Sequence, residues 1–106
     1  MAEAFEVVPR EAPRAFKLVG ELDLATAPRL DEMLRRECAL PGDLTLDLSE
    51  LTFMDSSGLH RILDACRQLA SNGTLVLKNP SEAVDRVFEI AAIEQVPGVR
   101  VARRRV

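Results

Sequence analysis

LTLDLSELTFMDSSGLHRILDACRQL, residues 44–69, is the stretch on which the reading of the whole chain turns. Leu44, Leu46 and Leu48 alternate with Thr45 and Asp47, the period of a strand with one buried face. A connecting turn through Ser49-Glu50 and a Leu51–Met54 approach are expected next, leading to the polar break Asp55-Ser56-Ser57-Gly58. Beyond the break, Leu59, Ile62, Leu63, Cys66, Leu69 and Ala70 recur at the spacing of one buried helix face. Asp and Ser favour helix N-termini because their side chains accept hydrogen bonds from N–H groups that the helix leaves unpaired. Two neighbouring hydroxyls are thereby expected at the positive end of a helix, where an added phosphate is electrostatically favoured.

Upstream, Ala4–Val8 and Ala15–Glu21 read as two short strands joined by the polar, proline-flanked link Pro9–Arg14, which suits a hairpin. After Gly20-Glu21-Leu22-Asp23, Thr26 reads as an N-cap, with Pro28 in the first helical turn, where its missing N–H does no harm. Leu30, Met33, Leu34 and Cys38 form the buried stripe of this helix, and Pro41-Gly42 stops it. Downstream, the central helix is expected to end at Ser71-Asn72-Gly73 with Gly or Asn in the left-handed conformation. A strand over Thr74–Leu77 follows, then a third helix with Val84, Val87, Phe88 and Ala91 on one face, and an edge strand over Val99–Ala102. Helical crossovers imply parallel neighbours, and the hairpin adds one antiparallel pair. The expected fold is a single α/β domain over residues 1–106, with a mixed four- or five-stranded sheet and helices mainly on one face. Because Leu44–Leu48 alternates, where a doubly buried strand would be continuously apolar, the opposite face should be lightly covered.

A chain of 106 residues, 47% apolar and 29% charged with interspersed signs, builds a core without disulfide or metal staples. A net charge of −3 argues against general nucleic-acid binding, which needs a basic footprint. Arg100, Arg103, Arg104 and Arg105 crowd the last seven positions and read as a solvated tail. No basic start followed by an apolar core marks Met1–Arg10 as a signal peptide, and no apolar run is long enough to span a membrane. A cytoplasmic protein with no membrane insertion is expected. Cys38 and Cys66 read as buried thiols rather than metal ligands, since only His60 could join them and no pair has usable spacing. No cofactor is implied: Gly-rich phosphate cradles are absent.

Spacing alone makes Asp55 and the serines simple caps. Ser56 and His60 stand four apart and could meet on one helix face, but the G-x-S-x-G elbow and an acid to orient the histidine are missing. Hydrolase chemistry, and enzymatic activity generally, are therefore not expected. Helix geometry does not choose between Ser56 and Ser57.

Gly20-Glu21-Leu22-Asp23, Thr26-Ala27-Pro28-x-Leu30 and Asp47-Leu48-Ser49…Phe53-Met54-Asp55-Ser56-Ser57-Gly58-Leu59 closely resemble the STAS domains of bacterial anti-sigma factor antagonists, those of the sporulation type included. The Asn79-Pro80-Ser81…Val84…Val87-Phe88 stretch is similar as well, so the likeness covers nearly the whole chain. The resemblance implies that Ser56, directly after the motif aspartate, is phosphorylated by a partner that is both anti-sigma factor and serine kinase, and that a phosphoserine phosphatase resets it. It also implies a partner contact made by Glu21, Asp23, Thr26, Asp55, Ser56, Ser57 and Gly58, with Ser57 and Gly58 allowing close backbone approach. Read as residues only, Glu21 and Asp23 are turn and solvating acids, and Arg61, Asp64, Arg67 and Gln68 a solvated outer helix face. The chain departs from the family pattern where Ala91-Ala92 replaces a common Gly-containing turn, and where Arg103–Val106 stand in place of a frequent final helix. The alternative within the same fold is a non-switching scaffold subunit of a signalling or lipid-transport complex.

Overall fold

The computed structural model describes residues 5–69 and 72–103. Five strands form one sheet: β1 (Phe5–Pro9), β2 (Ala15–Leu22), β3 (Leu44–Met54), β4 (Leu75–Lys78) and β5 (Val99–Ala102). Between them run α1 (Ala27–Glu37), α2 (Ser56–Leu69) and α3 (Glu82–Ala91), with a 3-10 turn over Ile93–Gln95. Strand order equals chain order. β1 pairs antiparallel with β2, and every later pair is parallel. Parallel crossovers are right-handed, so a sheet that grows steadily in one direction receives each crossover helix on the same face. Under those helices Leu18, Leu22, Leu44, Leu46, Leu48, Leu75 and Leu77 join one core with Leu30, Ile62, Val84 and Phe88. The other face carries Thr45, Asp47 and Lys78, as the alternation in Leu44–Leu48 requires.

Several expectations change. No turn interrupts the chain at Ser49-Glu50: β3 runs on for 11 residues. Register shifts against β2, at Lys17/Val19 and Gly20/Glu21, absorb the break in alternation, and the Asp47 carboxylate accepts from the Ser49 amide (3.0 Å) at the irregular point. Gly20 takes φ 105° at the second shift, a conformation that favours glycine. α1 ends at Glu37, ahead of Pro41-Gly42, and the Arg14 guanidinium occupies the gap by donating to the Glu37, Pro41 and Gly42 carbonyls. Gly73 is not left-handed; its amide closes α2 on Leu69, and a Cβ there would stand 2.2 Å from the Gly42 carbonyl oxygen. Ala91 is exposed because the chain reverses at Ala92 (φ 52°) and drives Ile93 into the core in its place.

Arg103 is no free tail residue, being paired with Asp85 (2.7 Å) and Glu94 (2.9 Å). Arg61 faces Asp31 of α1 (3.3 Å) and not open water. Cys38 and Cys66 are buried free thiols. The expectations for Ala4, Ala70, Ser71, Arg104 and Arg105 lie outside the described residues.

Candidate functional site

At the carboxyl end of β3 the backbone turns directly into α2, and Asp55 is the hinge. Its carboxylate accepts from the amides of Ser57 (2.9 Å) and Gly58 (3.3 Å), while its carbonyl takes the Leu59 amide (3.1 Å). Asp55 is thus the side-chain cap, and α2 starts at Ser56, three residues before the first residue of the apolar stripe. Ser56, the first helical residue, is exposed, and its hydroxyl makes no hydrogen bond among the described residues. Ser57 is half-buried. His60, one turn on, is exposed, and neither its ring nor the Ser56 hydroxyl bonds to the other.

Gly58 is buried, and its role differs from the one expected. A Cβ there would lie 2.6 Å from Leu22 Cγ and 3.1 Å from Met54 Cγ, well inside carbon–carbon contact. The missing side chain admits the molecule's own β2 and β3 against the start of α2; it is not open to a partner's backbone.

The β2–α1 loop lies alongside. Leu22 pairs with Met54, and the Leu22 carbonyl accepts from the Asp55 amide (3.2 Å), which ties the loop to the serine turn. Asp23 folds its carboxylate over the amides of Ala25 and Thr26 (both 3.0 Å). Thr26 stands at the N-cap position of α1, as expected, but its side chain is used elsewhere. Its hydroxyl donates to the Glu21 carbonyl (2.8 Å) and accepts from the Asp23 amide (2.9 Å), so it closes the loop and makes no side-chain cap bond to α1. At 2% exposure it is buried beneath the loop. Glu21 is exposed beside Phe53 on the paired strand, and Asp23 is half-buried.

Two apolar residues complete the site and were not singled out from the sequence. Leu24, at the loop tip, is 73% exposed, and Phe53, two residues before Asp55, is 45% exposed. Both interrupt polar segments (Glu21–Asp23 and the Thr52–Ser57 region), so a large hydrophobe inside a motif loop was the available signal. Exposed apolar side chains next to a polar turn are what a protein contact uses as anchors.

The family model described as STAS domain matches residues 4–104. The anti-sigma-B factor antagonist of Listeria monocytogenes is 35% identical over 81 residues, spanning 74% of this chain and 71% of that protein. Its Bacillus subtilis (strain 168) counterpart is 31% identical over 80 residues, 74% and 73% of the two chains. Among solved structures, the anti-sigma factor antagonist SpoIIAA in its unphosphorylated form aligns with a TM-score of 0.70 and 26% identity, over 95% of this chain and 90% of that one. The phosphorylated form of SpoIIAA aligns at 22% identity and a TM-score of 0.65, over 95% and 93%, which is a likeness of fold.

Proposed function

The chain belongs to the STAS domain family, and from that premise we propose that it is an anti-sigma factor antagonist switched at Ser56. In this reading an anti-sigma factor that is also a serine kinase docks on the β2–α1 loop and the β3–α2 turn. Phosphorylation of Ser56 releases it, and a phosphoserine phosphatase restores the docking form. The relatives' names as anti-sigma factor antagonists support the partner class, and the existence of SpoIIAA in phosphorylated and unphosphorylated forms supports the switch. The single observation that carries the choice of residue is the exposed, unbonded hydroxyl of Ser56 at the first position of α2.

The cap geometry sets the energetics. Phosphorylation brings a charge of about −1.5 to −2. Asp55 already occupies the Ser57 and Gly58 amides, so the phosphate meets a helix end whose nearest donors are taken. The favourable helix-terminus term, about 0.3–1 kcal/mol, is opposed by the adjacent carboxylate, and the isolated domain tolerates the group in solvent. Under a docked partner the same dianion is buried beside Asp55, at a cost of several kcal/mol in desolvation and like-charge repulsion. A loss of about 4 kcal/mol is a thousandfold in affinity, with no refolding of the domain. Leu24 and Phe53 supply the apolar part of the contact, and Glu21 and Asp23 its acidic rim. The domain acts by binding, and catalysis resides in its partner.

The test combines labelling and binding. Ser56→Ala should bind the cognate kinase yet take up no phosphate from ATP, and Ser56→Asp should fail to bind. Label persisting in Ser56→Ala would move the site elsewhere. Amide NMR shifts that spread far beyond the two loops on phosphorylation would replace local blocking with a conformational mechanism.

A further inference from the structure

The helix-free face of the sheet holds a trough of about 790 Å³, floored by β2–β5 and walled by the β1–β2 hairpin turn. Its size falls in the range of ligand clefts. The strand registers arrange its floor in two cross-strand rows. One reads Ala15–Thr45–Val76–Arg100 and the next Asp47–Lys78–Ala102, with Lys17 paired to Asp47 outside the lining. Lys17 is engaged by Glu50. Asp47 is engaged too: burial alone would raise its carboxyl, but hydrogen bonds from Ser49 and the ammonium groups of Lys17 and Lys78 hold it below the usual carboxylate range. That leaves Lys78 and Arg100 on the floor and Arg10 on the wall, none with a side-chain hydrogen bond or salt bridge among the described residues; Lys78 faces Asp47, and Glu11 lines the wall next to Arg10. Three cations against the two carboxylates of Glu11 and Asp47 give this concave face a net positive charge in a chain whose net charge is −3.

We propose that this trough docks an extended acidic segment of a protein partner, laid across β3–β5 with its carboxylates on Lys78, Arg100 and Arg10. Lys78 and Arg100 stand on neighbouring strands, two residues out of register. Such diagonal neighbours lie about 7–8 Å apart, close to the roughly 6.6–6.8 Å between same-side residues of an extended peptide. Acidic side chains at every second position therefore reach successive cations, while the intervening side chains point away from the sheet. The surface is separate from the serine turn: Met54 lies seven residues along β3 from Asp47, about 23 Å at strand rise. Docking there is independent of the switch and leaves the Ser56 end free.

The experiment titrates the full chain with an acetylated and amidated decapeptide of alternating Glu and Thr, followed by amide NMR. Shifts should appear at Thr45, Val76 and Arg100, spare residues 55–58, and weaken with added salt. A Lys78→Glu/Arg100→Glu double variant should bind at least about tenfold more weakly. Arg10→Glu, on the hairpin turn and outside the sheet, should also weaken binding and keeps the test decisive if the double variant unfolds. The proposal is overturned if no shifts appear at millimolar peptide, or if the shifts fall on the serine turn. It is equally overturned if a Gln-for-Glu peptide binds as well, or if free glutarate moves the same amides at the same concentration, which would make this a small-anion site.

Discussion

Gly58→Ala tests whether the serine turn is held in place from beneath. The new methyl would sit 2.6 and 2.7 Å from Leu22 Cγ and Cδ2 and 3.1 Å from Met54 Cγ, against the roughly 3.5–4.0 Å of relaxed carbon contact. Neither neighbour has room to swing outward, since Leu22 is fully buried and Met54 is 3% exposed. Overpacking of this kind costs about 1–3 kcal/mol, and the better helix propensity of alanine returns about 1 kcal/mol. Two buried side chains are crowded at once, so a net loss of about 1–2 kcal/mol is expected. Urea unfolding should show a lower midpoint at unchanged slope, and Tm should fall by roughly 4–8 °C per kcal/mol. Leu22 also carries the carbonyl that accepts from Asp55 and precedes the Asp23 loop, so affinity for the anti-sigma partner should fall alongside stability. Ser57→Ala, at a half-buried position with no side-chain bond, is the control and should stay within about 0.5 kcal/mol of the parent. A Gly58→Ala protein as stable as its parent, or more stable by the propensity gain, would refute the packing account.

Leu24→Asp and Phe53→Asp should leave Tm nearly unchanged yet weaken partner binding by about 1–3 kcal/mol each, measured by calorimetric titration. Ala92→Gly should stabilise the fold by about 0.5–1 kcal/mol in urea, because Ala92 holds φ 52° where glycine is unstrained. Burial, helped by the nearby Cys38, pushes the Cys66 thiol up to about 11 from an ordinary 9.0. Since the unfolded chain releases that proton first, stability should hold below pH 9 and fall by about 2–3 kcal/mol as pH rises toward 11. Cys66→Ala should flatten that alkaline limb in pH-dependent urea melts.

Local signals carried the fold where a residue's fate depends on its own neighbours in the chain. The Leu44/Leu46/Leu48 alternation, the Leu30–Cys38 stripe and the Asp55–Gly58 break correspond to β3, α1 and the start of α2. What escaped depended on a second segment. β3 continues through Ser49-Glu50 because β2 shifts register to meet it, which no reading of β3 alone contains. Thr26 looks like a cap by spacing, but the Glu21 carbonyl and Asp23 amide claim its hydroxyl first. Gly58 sits in a polar motif and reads as partner-facing until Leu22 is placed beneath it. Ile93 enters the core only because Ala92 adopts a conformation rarely given to alanine. Leu24 and Phe53 are ordinary hydrophobes in sequence, and only the sheet end they share turns them outward.

Asp55 already occupies two helix amides before Ser56 carries any modification. On the proposed reading the chemical mark therefore has little purchase on the folded state, neither bracing nor loosening it. The domain would keep no clock of its own: how long a signal lasts would be set by the enzymes that write and erase the mark, with this protein serving as a durable token passed between them.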